Sequence, residues 1–384
     1  MAEKLTSVSI LQRLVQKGRY SGNEKDTADE LKAIFEELGY DEIDTMPCGS
    51  VIGLVGPKDA PVKVLFDGHI DIATVTGEWK EDPFSGSIHD GQIWGRGTSD
   101  QKGGLSAATY AVAEYAKNNK LDYRIAVSGT VMEETKEGLG VEELCDKYQP
   151  ENVVITEPSY CTVMIGQKGR VEIELTIFGK SAHASNPEVG INSVVLASKA
   201  ILALEAVEPP KHELLGTGIL VVTDITTEPY PLISFVPDRT KIRFDRRSLP
   251  GETEEDILNG IRKTLKEAGI ENYKLEVTQS TLTTYPGKQY TRKTFCPSWI
   301  LEKSSPLYKA MYDAAEAVEG KAPEVSTWVC CTNGSEFAGT RHIPTVGMGP
   351  GLLSQAHTVD ESIEVSQMEK VTEIYGEFLK EYFK

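Results

Sequence analysis

The sequence predicts an α/β protein: a larger domain built on a mostly parallel, mixed sheet flanked by helices, with a smaller α+β domain inserted into it. Two observations carry this. Between residues 62 and 157, apolar runs rich in β-branched residues alternate with helical segments, as in a parallel sheet with crossover helices. Near residue 170 the pattern changes to a period-two alternation of polar and apolar residues, that of a strand with one wet face, and further strands mixed with two helical stretches follow as far as residue 278. A chain of 384 residues is also too long for one ordinary core, and its length suits about two or three domains. The expected division is a larger domain over 1–169 and 284–384, with the insert over 170–283.

Taken in order, residues 5–38 read as two helices around a turn at 17–22. The second places Leu31, Ile34, Phe35 and Leu38 on one face and ends at Gly39, so the role expected of this segment is packing. Short strands follow at 51–55 and 62–72. Asp90-Gly91 has the chemistry of a tight hairpin turn between 86–88 and 92–94. The Ala-rich stretch 104–117 is helical, which puts Asp100 just ahead of a helix start, where a carboxylate also has an ordinary electrostatic role. Strands at 123–132 and 152–156 run into Glu133-Glu134 and Glu157. In the insert, strands are expected at 170–177, 219–225, 240–244 and 273–278, with helices at 190–206 and 253–268. Residues 279–300 read as a crossing segment, and helices return at 306–318 and 365–383.

Ligands of parallel sheets gather at the carboxyl ends of the strands, and His69, Asp71, Glu133, Glu134 and Glu157 all fall there. Imidazole nitrogen with carboxylate oxygen is a donor set for zinc and its neighbours. The formal net charge of −18 argues against nucleic-acid or anionic-membrane partners, which require basic surfaces. No apolar run approaches a membrane span. The first residues interrupt their apolar positions with charges, unlike a signal peptide, and six cysteines without CxxC spacing suit reduced thiols, so a cytoplasmic location is expected.

With these positions in order, the chain resembles the dinuclear zinc peptidase and amidohydrolase family of glutamate carboxypeptidase, succinyl-diaminopimelate desuccinylase, acetylornithine deacetylase and the tripeptidase-type aminopeptidases. The resemblance covers nearly the whole length. Its motifs are Gly68-His69-Ile70-Asp71, the stretch GRGTSDQKGG at 95–104, Glu133-Glu134, Thr156-Glu157-Pro158, GKSAHAS at 179–185 and AHTVDE at 356–361. It implies two divalent metal ions, zinc foremost and cobalt or manganese next. His69, Asp100 and Glu157 would hold one, and Asp100, Glu134 and His357 the other. Asp71 would orient His69. Glu133 would be the general base that later protonates the leaving amine, and adjacent residues on an extended chain face opposite ways, so Glu133 and Glu134 can do different work. Without the surrounding motifs, two consecutive glutamates would read as a solvated pair.

By the same resemblance the insert is a lid and a homodimerisation domain. His183 would reach the other subunit's site and donate to the developing oxyanion, its ordinary alternative being a loop histidine. Arg247 would grip a substrate carboxylate, with Arg246 a competitor. Asn192 fits a lid asparagine, or else caps a helix. Residues 330–335 occupy the place where relatives carry a Ser-Asp or Thr-Asp pair at the substrate, which puts Asn333 there. The segment 279–300 resembles a subgroup linked to selenium metabolism. A glutamate at position 157 goes with carboxypeptidases and deacylases. The implied activity is therefore metal-dependent hydrolysis of an amide bond in a small carboxylate-bearing substrate, an N-acyl amino acid or short peptide. Hydrolysis of a ureido or ester bond on the same site, or a non-catalytic binding protein on the same fold, are the alternatives.

Overall fold

A computed structural model describes residues 5–384. The chain divides into two compact units. One takes the chain up to Gln167 together with Leu282–Tyr290 and Ile300–Lys384; the other takes Lys168–Thr281 and Thr291–Trp299. Residues 291–299 thus lie in the second unit rather than the first, because Phe295 and Cys296 pair with Val171 and Arg170 at the start of that unit's central strand.

The first unit is built on a mixed sheet of strands β1 (Glu42–Thr45), β2 (Val51–Val55), β3 (Val62–His69), β4 (Arg124–Thr130), β5 (Val153–Ile155), β6 (Val163–Gln167), β7 (Val325–Trp328) and β8 (Thr345–Gly347). Their order is β1-β2-β4-β3-β5-β8-β6, with β7 beside β6. The centre, β4-β3-β5-β8, is parallel, and antiparallel strands flank it. β2, β4, β5, β6 and β8 are buried throughout, and β3 nearly so, which is why they read as continuous apolar runs rather than as alternation. Helices Gly103–Asn118 and Val365–Tyr382 pack together on the sheet, where Tyr375 and Phe378 of the last helix set their rings edge-on to Phe66 of β3. Gly104 permits the closest approach: a Cβ there would lie 1.9 Å from the Thr156 carbonyl oxygen, so only glycine lets the helix start against the end of β5.

Because β3, β4 and β5 run parallel, their carboxyl ends open on one side. The register pairs His69 with Thr130, and Asp67 with both Ser128 and Ile155. The loops that follow these strands carry Asp71, Glu133, Glu134 and Glu157.

The second unit is an antiparallel sheet in the order Ile219–Thr227, Arg239–Arg247, Arg170–Phe178, Tyr273–Val277. Val171, Ile173, Leu175 and Ile177 bury alternate positions of the central strand against helices Ser193–Glu205 and Glu254–Glu267, as the period-two pattern predicts. The crossing segment of the sequence reading proves to be structured: Gln279–Thr283 and Gln289–Lys293 pair as a hairpin. Its strands are short and largely polar, so no apolar alternation announces them. None of the six cysteines is in a disulfide. Among the described residues, no helix is long and apolar enough to cross a membrane.

Candidate metal centre

His69 closes β3 with its ring wholly buried. Its Nδ1 lies 3.0 Å from the Asp71 carbonyl oxygen and 3.4 Å from Asp71 Oδ1. Both are acceptors, so Nδ1 carries a proton and Nε2 is the nitrogen turned toward the carboxylates. Nε2 is 3.0 Å from Asp100 Oδ1, 3.8 Å from Glu157 Oε1 and 4.0 Å from Glu133 Oε2. On the other side of Asp100, Oδ2 lies 3.3 Å from His357 Nε2, which is 2.9 Å from Glu134 Oε2. The ligand atoms of His69, Asp100 and Glu157 lie within 4.8 Å of one another, as do those of Asp100, Glu134 and His357. Asp100 belongs to both groups and gives one oxygen to each.

Each side chain is set by its local backbone. Asp100 sits in the tight turn Thr98–Lys102 at the start of helix Gly103–Asn118. The buried carboxylate of Glu361 shapes that turn: Oε1 accepts the amides of Ser99 (2.9 Å) and Asp100 (3.0 Å), while Oε2 accepts Gly97 N (3.0 Å) and Arg96 Nη1 (2.7 Å). Glu361 follows His357 by four residues, so one segment supplies a donor to one cluster and fixes the bridging residue. Glu157 is aimed by Gln101, whose Nε2 donates to Glu157 Oε1 (2.8 Å) while its Oε1 accepts from Thr156 Oγ1 (2.6 Å). Lys102 is fully buried and donates to the Asp71 carbonyl (3.1 Å); burial brings its ammonium down to about 8.

Glu133 and Glu134 correct the sequence reading. β4 ends at Thr130, and both residues lie beyond it in a turn entered through Met132, whose φ is +66°. Strand alternation therefore does not separate their roles. Asp71 does: its carboxylate accepts the amides of Glu133 (Oδ1, 3.3 Å) and Glu134 (Oδ2, 3.1 Å). Asp71 thus serves the glutamate turn as much as it serves His69.

The electrostatics of these groups are lopsided. Burial, then the neighbouring Asp100, pushes the Glu157 carboxyl up to about 8, and burial raises Glu133 well above the usual carboxylate range. Hydrogen bonds to Asp100 and Glu134 pull His357 up to about 10. His69 rises although burial opposes it, because Asp100 and Asp71 hold its proton. Asp100 is held down: burial opposes its charge, but the bonds to His357 and His69 prevail, and Asp71 is held down in the same way against its own burial by His69 and Ser21. Glu134 Oε1 is buried without any hydrogen-bond partner. Crowded carboxylates with an orphaned oxygen, two imidazole nitrogens and a shared aspartate fit a pair of divalent cations by charge and by donor chemistry.

The remaining predicted residues lie apart from these clusters in role or in unit. Asn333 is a correction. Its amide is buried and fully engaged, donating to Asp67 Oδ2 (3.0 Å) and Thr130 Oγ1 (3.0 Å) and accepting from Gly138 N (2.8 Å), which leaves nothing to offer a substrate. The other three belong to the second unit. Asn192 Oδ1 caps helix Ser193–Glu205 through the amides of Val194 and Val195, its ordinary role. Arg246 is buried on Glu252 (2.5 Å) and the Ile219 carbonyl (3.2 Å), whereas Arg247 is partly exposed and leans on Asp245 (2.7 Å). His183 is exposed, and its Nδ1 accepts the amide of Ser185 (3.1 Å), so a neutral ring carries its proton on Nε2. Glu361, Gln101 and Lys102 lie within the sequence motifs, and the sequence assigns them no role. Nothing local to them signals that they support ligands, since their partners are distant in sequence or are backbone groups.

Comparison with known proteins gives a consistent picture. Residues 65–381 match the family described as peptidase family M20/M25/M40. The chain is 34% identical over 364 residues to a protein named uncharacterized protein YgeY from Escherichia coli strain K12, covering 93% of this chain and 89% of that one. It is 27% identical over 350 residues to succinyl-diaminopimelate desuccinylase of Helicobacter hepaticus, covering 86% and 84%. Among solved structures, aminopeptidase PepT from Bacillus cereus superposes with a TM-score of 0.77 at 22% identity, covering 98% of each chain.

Proposed function

The chain belongs to peptidase family M20/M25/M40, a family of metallohydrolases, and on that premise we propose that it hydrolyses an amide bond in a small carboxylate-bearing substrate, an N-acyl amino acid or short peptide. The observation that carries this reading is Asp100, which gives one oxygen to each of two donor clusters within reach of a raised glutamate. His69, Asp100 and Glu157 would hold one divalent ion and Asp100, Glu134 and His357 the second, with zinc, cobalt and manganese all suited to nitrogen and carboxylate donors. Bound there, such ions would polarise a carbonyl and lower the pKa of a coordinated water to about 7.

The chain's own groups do the rest. Glu133, held beside His69 and disposed by burial to keep a proton, takes one from the attacking water and delivers it to the leaving nitrogen. Glu134 stays on its cluster because Asp71 fixes both amides of the turn. His183, with Nε2–H free to donate, serves the developing oxyanion from the partner subunit. Arg247 takes the substrate carboxylate, because Arg246 is committed to Glu252. The homodimer this requires is supported by strand Ile219–Thr227, an edge strand with Ile219, Val221 and Ile225 exposed, beside Val195 and Leu202 exposed on helix Ser193–Glu205.

The test is a screen of zinc- or cobalt-loaded protein against N-acyl amino acids, short peptides and their carboxyl-esterified counterparts. Turnover of the free acids and its loss on esterification are expected. Turnover confined to ureido or ester compounds would replace the amide reading.

A further inference from the structure

The turn between the first two helices is more than packing. Arg19–Tyr20 pairs in parallel with Asp71–Ile72, which lays the following residues along the back of the glutamate turn. Ser21 Oγ donates to Asp71 Oδ2 at 2.7 Å, the same oxygen that receives the Glu134 amide. Glu24 is wholly buried, and its Oε1 accepts the amide of Met132 at 3.1 Å. Glu24 stands at the N-cap of helix Lys25–Leu38 yet makes no side-chain cap bond there, so ordinary helix capping does not explain its carboxylate. Met132 is the left-handed residue through which the chain enters Glu133 and Glu134, a conformation that a side-chain-bearing residue keeps only when its surroundings hold it.

We propose that Glu24, with Ser21 as a second support, is a positioning residue for catalysis: it pins the Met132 amide, so that the turn delivers Glu133 and Glu134 in register with the two donor clusters. The proposal rests on the role of Glu133 given above. Ser21 reaches the turn through the Asp71 carboxylate and Glu24 reaches it directly, so the turn is held at three successive amides, those of Met132, Glu133 and Glu134. Neither residue faces the reacting atoms. Their contribution is geometric, and a displacement of about 1 Å at a catalytic group can cost on the order of 100-fold in rate.

The experiment compares wild type, Glu24→Gln, Glu24→Ala and Ser21→Ala as metal-loaded full-length protein. It reads kcat, KM, metal content and amide hydrogen exchange across residues 131–134. Glu24→Ala should lower kcat about 10- to 100-fold with KM within about twofold and metal content unchanged, and Met132 exchange should rise at least about tenfold. Glu24→Gln keeps the accepting oxygen and should return both readouts to within about threefold of wild type. Equal kcat in the alanine variant, unchanged exchange at Met132, or a glutamine variant as impaired as alanine would each overturn the proposal. Should Glu24→Ala fail to fold, Ser21→Ala carries the test: it removes one hydroxyl and should lower kcat about three- to tenfold at constant KM, and a wild-type kcat would count against the brace. If wild type cleaves no amide, the functional reading fails by itself, while hydrogen exchange still decides whether Glu24 holds the turn.

Discussion

Replacing Glu361 by glutamine changes one buried carboxylate oxygen into an amino group and tests how the bridging aspartate is held. The native carboxylate accepts four donors, the amides of Gly97, Ser99 and Asp100 and the Arg96 guanidinium, at 2.7–3.0 Å with no exposure to water. Glutamine offers one accepting oxygen, so its amino group must face two donors whichever way the amide turns. Hydrogen bonds to charged groups are worth about 1.5–3 kcal/mol each, and breaking a buried ion pair from one side costs about 3–5 kcal/mol. At about 2–4 °C per kcal/mol for a large domain, the melting temperature should fall by about 6–20 °C. Because two of the four donors are the amides of Ser99 and Asp100, metal affinity should weaken as well, by about 10- to 100-fold. Calorimetric melting and competition with a metallochromic chelator measure the two effects. A variant melting within about 2 °C of wild type, with unchanged affinity, would refute the assignment of Glu361 as the anchor of Asp100.

The same geometry makes further outcomes testable. In chelator-treated protein, Glu157 and His357 have folded values of about 8 and about 10, above their ordinary 4.5 and 6.5. A raised folded value stabilises below the unfolded one and is lost as pH climbs through the folded one. The metal-free chain should therefore lose melting temperature between pH 6.5 and 8, where both windows overlap, and metal loading should flatten that slope; a flat metal-free profile would contradict it. Asn333→Ala orphans Gly138 N–H and removes a donor from Asp67, so it should cost about 2–4 kcal/mol in denaturant titration and leave KM unchanged; a raised KM at native stability would return Asn333 to the substrate. Arg247→Ala should raise KM about tenfold or more with little effect on melting, whereas Arg246→Ala should destabilise the protein by about 3–5 kcal/mol; the reverse pattern in kinetics and melting would exchange their roles.

Much of the catalytic unit is legible because strands buried on both faces must be apolar and β-branched, and the residues just past them are conspicuous when they are histidine and acid. The coarse position of His69, Glu133, Glu134 and Glu157 follows from that. The supporting contacts are less visible. Glu361 shapes the Asp100 turn from more than 260 residues away through backbone amides, which carry no sequence signature. Glu133 and Glu134 read as a strand continuation because nothing in Val-Met-Glu-Glu marks Met132 as left-handed; that conformation is imposed by Asp71 and Glu24. Arg246 and Arg247 are neighbours whose burial differs only because they point to opposite faces of their strand, and Glu252 claims the buried one. Asn333 misleads for a related reason: an asparagine in a glycine-containing loop looks available, and only the long-range bonds to Asp67, Thr130 and Gly138 show it is not.

The most direct measurement is the turnover and metal content of Glu133→Ala. Glu133 is placed 4.0 Å from His69 but outside both donor clusters, so removing it should leave two metals per chain by elemental analysis while kcat falls by about 100- to 10,000-fold. Turnover within about tenfold of wild type, or the loss of a metal along with activity, would show that Glu133 is not the base.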